Sequence, residues 1–169
     1  MNPDKSHSGF TLLEVLVALA VISVGLLGLA GMQAVAVNNT NTSRMRGIAA
    51  IQAESLAAAM HANIAYWQNI SGTVTQSTVP TAGSCNTSTC TASQVAGYDV
   101  GLWQSNLSSN QLALPSGSGT FSCTAATASS PVVCSISVSW QEKSMTLNKT
   151  TVTASSAFST ASYQMVAQP

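Results

Sequence analysis

One carboxylate, Glu14, interrupts an apolar run that begins at Phe10 and continues to about Val37. An ionised carboxylate near the middle of a bilayer helix costs about 2.5–3.5 kcal/mol on insertion scales. Even near the end of the run, an ionised carboxylate needs a partner of opposite charge or a functional role that accounts for its cost. The helix dipole favours an acid in the first turn, but this effect is small. Glu14 is therefore the first candidate for a residue with a chemical role.

The apolar run is long enough to cross a membrane. As a helix, residues 10–37 extend about 42 Å, whereas the hydrocarbon core of a bilayer is about 30 Å thick. Gly25, Gly28 and Gly31 fall close to one face of this helix. Small residues on one face let helices approach closely in lipid. These glycines form either such a packing face or a set of small residues tolerated against lipid.

A short polar leader, residues 1–9, precedes the apolar run and ends in Gly9-Phe10-Thr11-Leu12-Leu13-Glu14. It has no apolar segment of its own, unlike a secretory signal. The leader, the Gly-Phe junction and the acid at the fifth position after it resemble the type IV prepilin signature. The resemblance implies that a prepilin peptidase cuts between Gly9 and Phe10 and that Phe10 is then N-methylated. It also implies that Glu14 pairs with the Phe10 amine of a neighbouring subunit. An uncleaved signal anchor is the alternative.

Charged residues are scarce: the chain has five basic and five acidic residues, two histidines and no net charge. This gives no electrostatic footprint for nucleic acid. It also gives little colloidal repulsion, which suits a chain that assembles or sits in a membrane. His61 is the only histidine after the leader, and no acid is placed to orient it or to share a metal. We therefore expect no enzymatic activity, metal, cofactor or small-molecule substrate.

Residues 38–67 are expected to continue the helix as an amphipathic half. The polar segment 38–43 forms helix poorly and marks a kink or the membrane exit. Arg44 and Arg46 are expected on a solvated face, with contact to lipid headgroups or a polar membrane exit as the alternative. The helix should fray between Ala62 and Trp67. The residues expected on its packing face recur at spacings of three and four: Ile48, Ile51, Ser55, Leu56, Ala59 and Met60.

Residues 68–169 are expected to form a periplasmic globular domain with an antiparallel sheet. The polar stretch 71–93 reads as a loop with at most a short strand near 73–79. A short helix is predicted from Asp99, its N-cap, to Leu114. Strands are predicted from their β-branched and aromatic alternation at Thr120–Ala125, Val132–Gln141, Ser144–Thr153 and Phe158–Val166.

Alternation in the second of these strands indicates one buried face, with Trp140 in the core. Glu142-Lys143 is predicted to form a tight turn that joins this strand to 144–153 as a hairpin. The resulting fold class is α+β, a type IV pilin fold with a long N-terminal helix packed on a C-terminal antiparallel sheet.

Four cysteines in an exported domain suggest disulfides, and three connectivities are open. We expect Cys85 to pair with Cys90 and Cys123 to pair with Cys134, both closing small rings. The second bond would join adjacent strands.

Within the pilin family the chain looks most like the PilV-type minor pilins. The segments that carry this likeness are short: Val24–Gln33, Leu56–Asn63, Trp103–Pro115 and Ser135–Glu142. The resemblance implies a non-catalytic subunit that crosses the bacterial inner membrane once and is incorporated into the pilus. It implies roles in pilus assembly and priming, twitching motility and adhesion, with other minor pilins and the major pilin as partners.

Three alternatives remain open at this point. A minor pseudopilin of a type II secretion system has the same N-terminus. A DNA-uptake pilin would need a basic surface, whereas four bases oppose three acids beyond Val37. A signal-anchored periplasmic enzyme would need a catalytic constellation, which the sequence does not offer.

Overall fold

The computed structural model describes residues 10–109, 114–143 and 158–169. The chain divides into two compact units, one that ends at Asn41 and one from Thr42 to Pro169. The predicted leader, with Gly9, and the predicted strand at 144–153 lie outside the described residues.

A long helix and a four-stranded antiparallel sheet make up most of the described structure, which confirms the predicted α+β class. The sheet has the order β1-β2-β3-β4. The elements in chain order are α1 (Leu12–Ala62), α2 (Ile64–Trp67), β1 (Thr73–Thr75), α3 (Ala92–Ser108), β2 (Ser118–Thr124), β3 (Val133–Lys143) and β4 (Phe158–Ala167).

Helix α1 runs for 51 residues and passes through the polar segment 38–43 without a break. The segment contains neither proline nor glycine, the residues that most often break a helix. The hydroxyl of Thr40 donates a hydrogen bond to the carbonyl of Ala36 (2.9 Å), so one of its polar side chains is satisfied within the helix. Helical geometry ends at Ala62, where the sequence predicts fraying, and resumes in the short α2.

Small residues dominate the face of α1 that packs in the second unit. The buried stripe consists of Ala49, Ala53, Leu56, Ala57 and Met60, which join the hydrophobic core with residues of α3 and the sheet. The predicted packing face is right for Leu56 and Met60 and wrong for two other members, since Ser55 is exposed and Ile51 is 63% exposed. Three of the five buried residues of α1 are alanines.

Helix α3 starts at Ala92, well before the predicted start at Asp99. Thr91 is its N-cap and forms a capping box with Gln94, in which each side chain bonds the backbone N–H of the other residue. This Thr-x-x-Gln pattern is the usual start signal of a helix, and the sequence prediction missed it. Asp99 instead lies inside the helix, where partial burial raises the pKa of its carboxyl group. The helix ends at Ser108 rather than at Leu114.

Strand β3 is one of the two inner strands of the sheet and contributes Ile136, Val138 and Trp140 to the core. It pairs with β2 on one side and with β4 on the other. Its side chains alternate as predicted: Ile136, Val138 and Trp140 are buried, and the serines between them are not. The indole N–H of Trp103 donates to the carbonyl of Gln52 (2.9 Å), which ties α3 to α1 across the same core.

The predicted turn at Glu142-Lys143 is wrong. Both residues belong to β3, where they pair with Ser159 and Phe158 of β4. Residues two apart on a strand share a face, so Glu142 follows Trp140 toward the interior and is only 9% exposed. Its Oε1 atom accepts hydrogen bonds from the Trp140 indole (3.1 Å) and the Arg46 guanidinium (3.4 Å). These two donors make a buried carboxylate acceptable inside a strand.

We predict that Glu142→Ala lowers the free energy of unfolding by about 1–3 kcal/mol, because the buried Trp140 indole N–H loses its acceptor. Arg46→Ala should cost less than about 1 kcal/mol, because the Arg46 side chain is 65% exposed and its ion pair is screened by solvent. Chemical denaturation of the full chain in detergent, followed by tryptophan fluorescence, measures both. If both variants lowered the free energy of unfolding equally, the hydrogen bond from Trp140 would not be the main contribution of Glu142.

Candidate functional site at the start of the long helix

The first turn of α1 fixes the position of Glu14. Thr11 precedes the helix, and the Glu14 backbone N–H donates to its hydroxyl (3.3 Å) and to its carbonyl (3.1 Å). A threonine side chain that accepts from the third residue of a helix is a standard N-cap. Glu14 therefore lies in the first turn, where the helix dipole favours a negative charge.

The carboxylate of Glu14 lies in an apolar environment. A shallow groove on the helix surface is lined by Phe10, Glu14, Val15, Ala18, Leu19 and Ile22. Among the described residues, none donates a hydrogen bond to the carboxylate or forms a salt bridge with it. An isolated carboxylate on such a surface can bind a cationic group that arrives from another molecule, and Phe10, the predicted new N-terminus, borders the same groove.

The Glu14 carboxylate lies within a long apolar segment, the first part of α1. Every residue from Phe10 to Val37 is exposed, and Phe10 itself is 84% exposed. The helix is long and apolar enough to cross a membrane. An apolar surface of this extent on a soluble monomer is rare and marks contact with lipid or protein.

The cysteines form two disulfides, Cys85–Cys90 and Cys123–Cys134, the same pairs that the sequence predicts. The first closes a small loop before α3. The second joins residues directly opposite each other on β2 and β3. Both lie in the second unit, and neither contributes to the site at the start of α1.

The described residues contain no group of three potential metal ligands, and His61 is exposed. Two features escaped the sequence prediction. The first is the cap by Thr11, which the Thr-x-x-Glu pattern at 11–14 could have shown. The second is the pairing of Arg46, expected on a solvated face, with Glu142; the two residues are far apart in the chain, and no local pattern links them.

Residues 4–30 match the family model of the prokaryotic N-terminal methylation motif. The match includes Gly9, Phe10 and Glu14 and indicates a prepilin of the type IV pilin or pseudopilin kind. Such a motif implies processing by a prepilin peptidase and a context of pilus assembly, and proteins of this kind are structural rather than catalytic. Searches of curated proteins and of solved structures found no match.

We predict that Thr11→Ala accelerates hydrogen exchange of the Glu14 amide about twofold to fivefold, because loss of an N-cap side chain costs about 1 kcal/mol or less at an exposed helix end. Exchange of the full chain in detergent, read by NMR, measures it. Thr40→Ala is the matched control, since it removes a hydroxyl that donates to a helix carbonyl and caps nothing. An unchanged rate in Thr11→Ala would show that the hydroxyl does not hold the first turn.

Proposed function

We propose that this chain is a PilV-type minor pilin that takes part in the assembly and priming of a type IV pilus, and thereby in twitching motility and adhesion. The observation that carries the proposal is the lone carboxylate of Glu14 in an apolar groove beside Phe10, within the matched methylation motif. The short segments that resemble PilV-type pilins support the finer assignment.

Cleavage between Gly9 and Phe10 prepares the chain for assembly. It removes nine residues, leaves 169 − 9 = 160, and converts the nitrogen of Phe10 from an uncharged amide into an amine that is then methylated. The apolar helix stays in the mature chain and crosses the inner membrane once, with residues 68–169 in the periplasm. The two disulfides suit this oxidising compartment.

Pairing of opposite charges between subunits then determines how neighbouring subunits align. Within the apolar layer, Glu14 of one subunit pairs with the Phe10 amine of another, because burying two opposite charges together costs less than burying either one alone. Before cleavage there is no amine at Phe10, so an uncleaved chain offers Glu14 no such partner. This dependence explains why an acid is retained in a surface that is otherwise apolar.

A minor pseudopilin of a type II secretion system is the second candidate, because the methylation motif fits both systems equally. The two differ in what is lost when the gene is deleted: surface pili and twitching in one case, secretion of folded exoproteins in the other.

We expect the protein from membranes to begin at Phe10 and to carry one additional methyl group, because the motif places the cleavage site there. Intact-mass and N-terminal analysis, with and without the host's prepilin peptidase, measure this. The full-length chain should accumulate without the peptidase. A chain that starts at Met1 in both strains would overturn the proposal and leave an anchored domain.

Glu14→Gln should leave cleavage at Gly9 intact and reduce incorporation into sheared pili by about tenfold or more, because the neutral amide cannot neutralise the amine of a neighbour. The matched control is Glu54→Gln, an exposed acid further along the same helix. Immunoblots of membrane and pilus fractions give the ratio. If both variants entered pili as the native chain does, charge pairing at Glu14 would not direct assembly.

A further inference from the structure

The two disulfides differ in how far solvent reaches them. Cys123 and Cys134 are both 0% exposed, whereas Cys85 and Cys90 are partly exposed and residues 86–89 between them are fully on the surface. A disulfide opens when a thiolate attacks one of its sulfurs, so its rate of reduction depends on access. Exposed disulfides are accordingly the labile ones. A thiol reductant should therefore open Cys85–Cys90 well before it opens the buried pair.

The ring that Cys85–Cys90 closes is small and has hydrogen bonds of its own. The two cysteines are five positions apart, and the Ser84 carbonyl accepts from the backbone N–H groups of Thr87 and Ser88 (both 3.0 Å). A crosslink across a short ring restrains the unfolded chain less than one across a long ring. Opening this bond should therefore leave the sheet and the core folded, so that its effects stay local.

The loop that carries the disulfide lies directly against α3. A Cβ atom built on Gly83 would lie 2.7 and 3.3 Å from the two disulfide sulfurs and 3.2 Å from the Cβ atom of Gln94 in α3. A Cβ atom built on Gly97 of α3 would overlap the carbonyl oxygen of Pro80. Both glycines permit this close approach of loop and helix. The disulfide is thus part of the contact between the loop and the first turn of α3.

The start of α3 connects this disulfide to the long helix. Cys90 directly precedes the N-cap Thr91, which accepts from the Gln94 N–H (3.4 Å) and donates its own backbone N–H to the Gln94 side chain (3.0 Å). The carbonyl of the next residue, Ala92, accepts from the side-chain amide of Asn63 (2.7 Å). Asn63 is only 9% exposed and follows the end of α1. The disulfide therefore restrains the residue next to a cap that holds α3 beside α1.

Reduction of this bond balances with a simple dithiol. The reductant gives up two electrons and two protons, the bond between the cysteine sulfurs breaks, and both cysteines become thiols. The two sulfurs of the reductant join in a disulfide. We propose that Cys85–Cys90 is a redox-sensitive switch, which a dithiol opens within the folded chain and which then frees residues 80–91 and loosens the start of α3.

The first test is graded reduction of the full mature chain in detergent with dithiothreitol, followed by alkylation and mass analysis of the cysteine peptides. We expect Cys85–Cys90 to open about tenfold faster or more than Cys123–Cys134, because only the first pair is accessible to the attacking thiolate. Equal rates for the two pairs would overturn the proposal.

The second test is hydrogen exchange, read by NMR on the chain in which only Cys85–Cys90 is reduced. The amides of Gln94 and Val95 should exchange about threefold faster or more, because the cap at Thr91 is weakened, and reoxidation should restore the original rates. The double variant C85S/C90S should show the same change without a reductant. Thr89→Ser is the matched control, because it places a serine in the same loop and keeps the disulfide.

Two outcomes of this exchange experiment would contradict the switch. Unchanged rates at Gln94 and Val95 would show that the disulfide does not restrain the start of α3. Faster exchange at Ile136 and Val138 of β3 as well would show that reduction unfolds the whole second unit rather than one segment. Neither test uses the pilus, Phe10 or Glu14, so the switch stands or falls separately from the proposed function.

Discussion

The constraint on which the rest of the structure depends is the apolar surface of α1 from Phe10 to Val37, where every side chain is exposed. Exposing an apolar surface of this size to water is unfavourable, so lipid or other protein chains must cover it. Lipid covers it before assembly and other subunits cover it afterwards, in the function that we propose. Apolar contact alone is non-directional, so it can hold subunits together but cannot fix their axial position. In the proposed function, the single carboxylate within this surface, Glu14, supplies the missing direction.

Features set by local sequence were predictable. The apolar run and the junction at Gly9-Phe10 are continuous sequence patterns. The alternation of residue types in β3 indicated which face of the strand is buried, because successive side chains of a strand point to opposite faces. Glu14 stood out as a candidate site residue because its type conflicts with its surroundings. Conflicts of this kind between local composition and position are the clearest signals in a chain that otherwise consists of apolar and small polar residues.

Features set by tertiary contact were not predictable. Glu142 was assigned, with Lys143, to a tight turn between two predicted strands, and only the contacts with Trp140 and Arg46 explain its burial. Ile51 was assigned to the packing face because of its helical spacing, whereas Ile51 is exposed and the neighbouring Ala49 and Ala53 are buried.

The disulfide between Cys123 and Cys134 has a consequence for how the sheet forms. These residues are directly opposed in the pairing of β2 with β3. Because side chains alternate between faces, a slip of one residue would turn one cysteine to the opposite face from the other. Only the native register brings the two sulfurs together. Formation of this disulfide therefore acts as a check on strand pairing, because it covalently fixes the alignment in which Ile136, Val138 and Trp140 of β3 are buried.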